Sequence, residues 1–251
     1  MPRALVRPPS PRLAEGLLTH LDRQPVDVEL AQRQWDAYVE ALAAAGFTPI
    51  EVPAAPDHPD SVFVEDTVVM TGATTGVLTR PGATERRGEV AGVAEVLRDL
   101  GYELTEIDSP ATLDGGDVLK VGSRMYVGLG GRTTADACDQ LARLTEADVV
   151  GVPVDSVLHL KSAVTALPDG TVIGYPPIVD HPEAFDDFLP VPEEPGSHVV
   201  VLDDDTVLMA ASAPASTALF RDRGLTVVTV DISEFEKLEG CVTCLSVRLR
   251  D

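Results

Sequence analysis

Basic residues are scarce in this chain: of 251 residues, 19 are Lys or Arg against 41 Asp or Glu, a formal charge of −22. Such a balance argues against binding nucleic acid or an anionic membrane through bulk charge, since both need a basic face. Long apolar runs are missing too, since none approaches the roughly 18 residues that cross a bilayer. The opening stretch MPRALVRPPSPRLAEG puts prolines and arginines where a secretory signal has its apolar segment. Cysteine is rare, with three residues, an odd and low number that suits reduced thiols better than a disulfide framework. The expectation is a soluble, cytoplasmic protein. What the chain has in quantity is apolar side chain, 44% of the sequence with 24% charged, which supplies a core and excludes a disordered acidic tail. Residues 1–251 are expected to form one catalytic domain.

One order of elements recurs at a period of about 40 to 55 residues, which makes the chain a repeat architecture. Thr67 to Met70 and Val77 to Thr79 flank Thr71–Gly76 as a hairpin. A helix over Glu89 to Leu100 follows, with Val90, Val93, Leu97 and Leu100 at helical spacing and Gly101 as its stop, then a strand over Leu104 to Ile107. The unit returns from Asp117, with strands Val118 to Val121 and Met125 to Leu129, a helix capped by Thr133 or Thr134, and strand Val149 to Val154. It returns from Leu160, where Pro168-Asp169-Gly170 makes the turn and a short helix runs from Pro182 to near Leu189. It returns again from His198, with a helix from about Pro214 to Arg223 and strand Thr226 to Val230.

The two ends complete each other. The N-terminus offers strand Ala4 to Arg7, a helix from about Val28 to Ala45 capped by Asp27, and strand Thr48 to Val52; the C-terminus offers strand Cys244 to Arg250. Pairing the terminal strands makes a fifth unit and closes a ring, which removes exposed sheet edges. The pattern reads as an α/β fold of five ββαβ units about a pseudo-fivefold axis, with an ordinary α/β sandwich as the alternative. Trp35 and Tyr38 face either the core or a homodimer contact.

In a ring, the residues preceding each first strand meet near the axis. Those are Glu65-Asp66, Asp114 with Asp117, His159, Ser197-His198 and Cys244, a thiol, an imidazole and several carboxylates. The loop Asp57–Asp66 places four carboxylates around Phe63, a wall suited to a guanidinium group or else a solvated acidic loop. Cys241-Val-Thr-Cys244 is a CxxC, yet a redox dithiol sits at a helix N-terminus, and here a strand is expected. A zinc cage needs about four ligands, and no second CxxC or HxxxH supplies them; Cys138 sits on an apolar helix face.

Asp60-Ser-Val-Phe-Val-Glu-Asp66, Thr79-Arg-Pro-Gly-Ala83 with Arg86-Arg87-Gly88-Glu89, Leu113-Asp-Gly-Gly-Asp117, Gly128 to Thr133, Leu158-His-Leu-Lys161 and Cys241-Val-Thr-Cys-Leu-Ser-Val247 resemble the motifs of dimethylarginine dimethylaminohydrolases, members of the guanidino-group-modifying pentein superfamily. The resemblance implies a five-bladed α/β propeller, Cys244 as nucleophile, His159 as acid and then base, and Asp114 as the residue that orients it. It implies that Glu65 and Asp66 hold the guanidinium, with Asp60 and Phe63 in the same loop. Arg86 and Arg132 would clamp the substrate α-carboxylate, and Leu17 or Leu18 would belong to a mobile closing loop. No metal or cofactor is implied, and the partner is a small cationic guanidino compound. An arginine deiminase, a CxxC redox or zinc module, and a binding protein on a catalytic-looking fold are the alternatives. Cys241 could also trap Cys244 as a disulfide.

Overall fold

Successive side chains of a strand point to opposite faces, and in several strands of this chain both faces are buried. The computed structural model describes residues 2–145 and 147–249, and its first strand shows the consequence. In β1 (Arg3–Val6), Ala4 and Val6 enter one core cluster while Leu5 enters the next. β1 pairs in parallel with β2 (Thr48–Glu51). Four further sheets follow along the chain: β3 (Val68–Met70), β4 (Thr75–Leu78) and β5 (Glu103–Glu106); β6 (Val118–Val121), β7 (Arg124–Leu129) and β8 (Asp148–Pro153); β9 (Val164–Ala166), β10 (Val172–Gly174) and β11 (Phe188–Pro190); β12 (Val199–Val201), β13 (Thr206–Ala210) and β14 (Thr226–Val230). In each, an antiparallel pair is extended by a parallel third strand. β15 (Val247–Leu249) pairs antiparallel with β1, Arg3 opposite Leu249 and Leu5 opposite Val247. The ends thus complete a fifth sheet, and the fold is a five-bladed α/β propeller.

The core is divided among the seams between blades. Val68 and Met70 pack with Leu5 and Val247 from the preceding blade, while Val69 and Val77 pack with Val118 and Val127 from the following one. Each seam is closed on its outer side where the chain crosses from the second strand to the third. Helices α1 (Val28–Ala44), α2 (Val90–Asp99), α3 (Ala135–Leu144) and α5 (Pro214–Asp222) do this in four blades. Asp27 caps α1 by accepting the Leu30 N–H at 2.9 Å, the arrangement that satisfies an orphan donor of the first turn. The remaining α-helices, α4 (Leu160–Ala163) and α6 (Ser233–Glu236), are single turns.

Two expectations are corrected and one alternative is resolved. The helix from Pro182 to Leu189 is a 3₁₀ turn, Pro182–Ala184, followed directly by β11. Leu189 precedes Pro190, and a residue before proline is pushed from the helical to the extended region. Of the two settings open to Trp35 and Tyr38, they take the core, buried in the seam beneath α1 at 7% and 0% exposure. The C-terminal strand begins at Val247 and not at Cys244, because a turn occupies the preceding residues, with the Cys244 N–H donating to the Cys241 carbonyl at 3.1 Å. Arg250, the expected end of that strand, lies outside the described residues.

Tyr38 ties α1 to this turn. Its hydroxyl donates to the Val242 carbonyl at 2.8 Å and shares a 2.8 Å hydrogen bond with Ser246. Tyr38→Phe would leave a buried carbonyl without its donor, a loss of about 1–3 kcal/mol. The expected outcome is a lower urea midpoint at unchanged m-value in equilibrium unfolding.

Candidate active site

Each blade's inner strand is entered through a tight turn. Val64–Thr67 precedes β3, Gly115–Asp117 precedes β6, α4 precedes β9, Glu194–Ser197 precedes β12 and the turn at residues 241–245 precedes β15. Ring symmetry gathers these turns, and a cleft with about 340 Å³ of empty volume opens among them. Of the residues expected at the site, Cys244, His159, Leu17, Asp60, Phe63, Asp66, Arg86 and Arg132 line this cleft. Leu158, Leu238, Glu239 and Gly240 line it as well; they belong to no charged or nucleophilic pattern, and the sequence reading missed them.

His159 is buried between carboxylates. Its Nε2 lies 2.9 Å from Asp114 Oδ2, and its Nδ1 is 3.8 Å from Asp66 Oδ1. Asp117 fixes the backbone on either side of this pair. It accepts the Leu160 N–H at 2.9 Å and the Thr133 hydroxyl at 2.6 Å, and that hydroxyl accepts the Asp114 N–H at 3.1 Å. Burial works against a charged imidazole, but the charges of Asp66 and Asp117 and the hydrogen bond to Asp114 outweigh it and hold His159 up at about 9. Burial pushes Asp117 up to about 6, against the opposing charge of His159. For Asp66 burial again favours the neutral form, yet His159 and Arg86 bring its carboxyl below the usual range. Gly116 permits this packing. Its N–H donates to Asp66 Oδ1 at 2.8 Å, and a Cβ there would stand 2.6 Å from His159 Nδ1.

Two expected roles meet a different geometry. Glu65 does not face the cleft: Lys161 Nζ is 2.6 Å from its Oε1, and the Thr243 hydroxyl donates to its Oε2 at 3.0 Å. The Glu65 N–H donates to the Cys244 carbonyl at 3.2 Å, so this residue supports the Cys244 turn from behind. Arg86 lines the cleft, but its guanidinium donates to Glu89, to Asp66 and to the carbonyls of Asp60 and Phe63. Those bonds leave no pair of parallel N–H donors for a carboxylate fork; Arg86 positions Asp66 and the 60–63 loop. Arg132 is less committed, 4.0 Å from Asp114 and 3.4 Å from the Thr19 hydroxyl. Of the two leucines, Leu17 lines the cleft and Leu18 packs half-buried on the core.

Cys244 and Cys241 stand together, Sγ to Sγ 3.3 Å, and the Cys241 N–H points at Cys244 Sγ from 3.4 Å. Their shared hydrogen bond, burial, and the carboxylates of Glu65 and Asp66 all push the Cys244 thiol up. Opposing those carboxylates, a cation bound in the cleft would favour the thiolate. The turn at residues 241–245 leads into a strand and not a helix, which lacks the helix N-terminus of a dithiol redox site. Among the described residues, neither cysteine joins a group able to hold a metal. Asp66, Asp114 and His159 do place ligand atoms within 4.8 Å of one another. Those atoms are spent on Arg86, Gly116, Gly82 and each other, and two guanidinium groups adjoin them.

A five-bladed ring with a thiol, a carboxylate-held imidazole and an acidic cleft near its axis defines the class of guanidino-group-modifying pentein proteins. No protein-family model matches the chain. It is 60% identical to the N(G),N(G)-dimethylarginine dimethylaminohydrolase of Streptomyces coelicolor, over 99% of this chain and 97% of that protein. It is 33% identical to the enzyme of that name from Pseudomonas aeruginosa, over 97% and 98%. A crystal structure of a cysteine-to-serine mutant of the Pseudomonas protein, complexed with citrulline, superposes with a TM-score of 0.89 at 30% identity, covering 98% of each chain. The chain belongs to the dimethylarginine dimethylaminohydrolase family.

The geometry sets two expectations. Gly116→Ala forces His159 or Asp66 aside, and turnover should fall by about 100-fold, the loss that small misplacement of a catalytic group causes; steady-state kinetics on folded variant checks it. Peroxide should convert one thiol to a sulfenic acid with loss of water, and the neighbouring thiol should displace hydroxide to form a Cys241–Cys244 disulfide. Activity should return with dithiothreitol, and Cys241→Ser should lose this reversible phase, as thiol counting and activity recovery would reveal.

Proposed function

We propose that the protein hydrolyses Nω-methylated arginine, asymmetric dimethylarginine or monomethylarginine, to citrulline and dimethylamine or methylamine. The observation that carries the reading is the placement of the Cys244 thiol and a carboxylate-held His159 on one acidic cleft, in a chain 60% identical to a dimethylarginine dimethylaminohydrolase. Cys244, His159 and Asp114 form the catalytic group, and Asp66 receives the guanidinium. Asp60 and Arg132 take the charged α-amino and α-carboxylate ends, while Phe63 and Leu17 supply apolar walls. Among the described residues no helix is long and apolar enough to cross a membrane. Three free cysteines accord with a cytoplasmic protein.

The bound guanidinium offsets Glu65 and Asp66, and Cys244 reacts as the thiolate. Sulfur attacks the guanidinium carbon, and a C–S bond forms. His159, charged at neutral pH, gives its proton to the departing amine as the C–N bond breaks, leaving a thiouronium on Cys244. The now neutral imidazole takes a proton from water, which adds to the same carbon. The C–S bond then breaks as the added hydroxyl gives up its remaining proton to solvent, where the freed amine takes it up, releasing citrulline and the thiolate and leaving His159 charged again.

Incubation with asymmetric dimethylarginine, monomethylarginine and arginine, assaying citrulline and released amine, tests the reading. Turnover of the methylated substrates is expected, and turnover of arginine alone would overturn it in favour of a deiminase. The imidazolium is the acid, and carboxylates hold it at about 9, so kcat should decline as pH rises through that region. Removing a carboxylate removes part of the support for the charged form. Asp114→Asn should therefore move the basic limb to lower pH, and an unmoved limb would remove His159 from the acid role.

A further inference from the structure

We infer that Glu239 is a positioning residue that latches the segment 17–21 over the cleft and thereby controls capture of the substrate; the capture half of this rests on the reading of the cleft as an arginine-derivative site. Glu239 lines the cleft between Leu238 and Gly240. Its backbone has φ 59°, the one positive value at a non-glycine residue among those described. That left-handed conformation is uncommon for a residue with a side chain. Here it accompanies a carboxylate turned toward three consecutive backbone amides. Glu239 accepts the N–H of Thr19 at 3.0 Å, of Leu21 at 2.8 Å, and of His20 between them. Successive amides converging on one anion form a nest, which holds charge without needing any particular side chain.

Apart from Arg132 on the Thr19 hydroxyl, little else holds residues 19–21. Thr19, His20 and Leu21 are exposed, Leu21 at 44% despite its apolar side chain, so burial contributes little to keeping them down. Both sides of the segment are anchored independently. Upstream, Leu13 is fully buried. Downstream, the Asp27 N–H donates to Glu234 at 2.9 Å and Lys237 donates to the Pro25 carbonyl at 3.1 Å. Release of Glu239 therefore frees a short strap and leaves α1 and the ring intact.

The strap also occupies the groups that meet the substrate. Leu17 N–H donates to both carboxylate oxygens of Asp60, at 3.1 Å each, and Thr19 Oγ1 accepts from Arg132 at 3.4 Å. Strap bonds and substrate bonds at Asp60 and Arg132 thus compete, while the Glu239 bonds go to the strap's own backbone amides and use neither Asp60 nor Arg132. Glu239 can hold the strap closed both before and after Asp60 and Arg132 exchange partners.

The test is amide hydrogen exchange with kinetics on Glu239→Ala and Glu239→Gln. In the alanine variant, exchange at Thr19, His20 and Leu21 should accelerate at least about tenfold while amides of residues 28–44 stay unchanged. KM for asymmetric dimethylarginine should rise about tenfold with a smaller change in kcat, the split expected when binding and not chemistry is lost. The glutamine variant keeps a carbonyl acceptor and should recover part of both effects. Unchanged exchange at residues 19–21 would overturn the latch, and faster exchange at unchanged KM would overturn its role in capture. Wild-type protein that turns over no methylated arginine would overturn the proposed function instead, and exchange would still decide the latch.

Discussion

Buried carboxylates held apart from one another only by intervening cations set the terms for the whole site. Asp66, Asp114 and Asp117 surround one imidazole at 3% exposure or less, a placement that ionised groups tolerate only when paired and hydrogen-bonded. His159 supplies the shared cation, Arg86 a second for Asp66, and Gly116 and Gly82 donate backbone N–H groups to the remaining oxygens. The glycines of Leu113-Asp-Gly-Gly-Asp117 follow from this crowding. At Gly115 a Cβ would lie 2.1 Å from the Glu65 carbonyl oxygen, and at Gly116 it would meet the imidazole. The hydrogen bond to Cys241 and burial, reinforced by the same imbalance of charge, push the resting thiol up, and that imbalance favours a guanidinium as the species that completes the site. Under the proposed mechanism, substrate binding and activation of Cys244 are one electrostatic event.

The ring makes that crowding possible. No single blade contains the site: Asp66 enters from one turn, Asp114 and Asp117 from the next, His159 from the third and Cys244 from the last. Each is held by its own seam of apolar side chains, so the site's geometry is fixed by the packing of the whole circle. β15 on β1 is the closure, and the Cys244 turn sits immediately before it. Tyr38 connects that turn to α1 from the opposite end of the chain. Sites on rigid elements with supporting hydrogen bonds keep the sub-ångström placement that catalysis requires.

Much of this was legible in the sequence because it is periodic. Alternating apolar residues, hairpin turns and glycine stops are local signals, and they located the hairpins, four of the helices and the closing strand. Gathering Asp66, Asp114, His159 and Cys244 needed only the inference that equivalent positions of repeats meet at the axis. What stayed hidden is non-local. Whether Arg86 faces substrate or is neutralised depends on Glu89 at one helical turn and Asp66 twenty residues earlier. Glu65 and Asp66 are adjacent, yet a 3₁₀ turn sends one toward Lys161 and the other toward the cleft. Glu239 gave no signal, because its partners are backbone amides of residues 19–21, and those carry no sequence identity.

The formal charge of −22 looks at first like a general property of the surface, but its buried share behaves differently from the rest. Exposed carboxylates are screened by salt and contribute mainly solubility and a weak attraction for cations. The buried ones are poorly screened, and each is committed to a particular donor. Asp60 shows how the two meet. Burial favours its neutral form, while Arg86 and the Leu17 N–H favour the charged one, and it sits where the strap and the cleft join. A cationic amino group arriving there replaces a neutral amide donor with a charged one, a stronger partner for the same carboxylate. The gain comes with no loss of buried pairing, since Asp60 exchanges one donor for another. An acidic cleft covered by backbone amides is therefore a site that stays satisfied when empty and becomes better satisfied only by a cation.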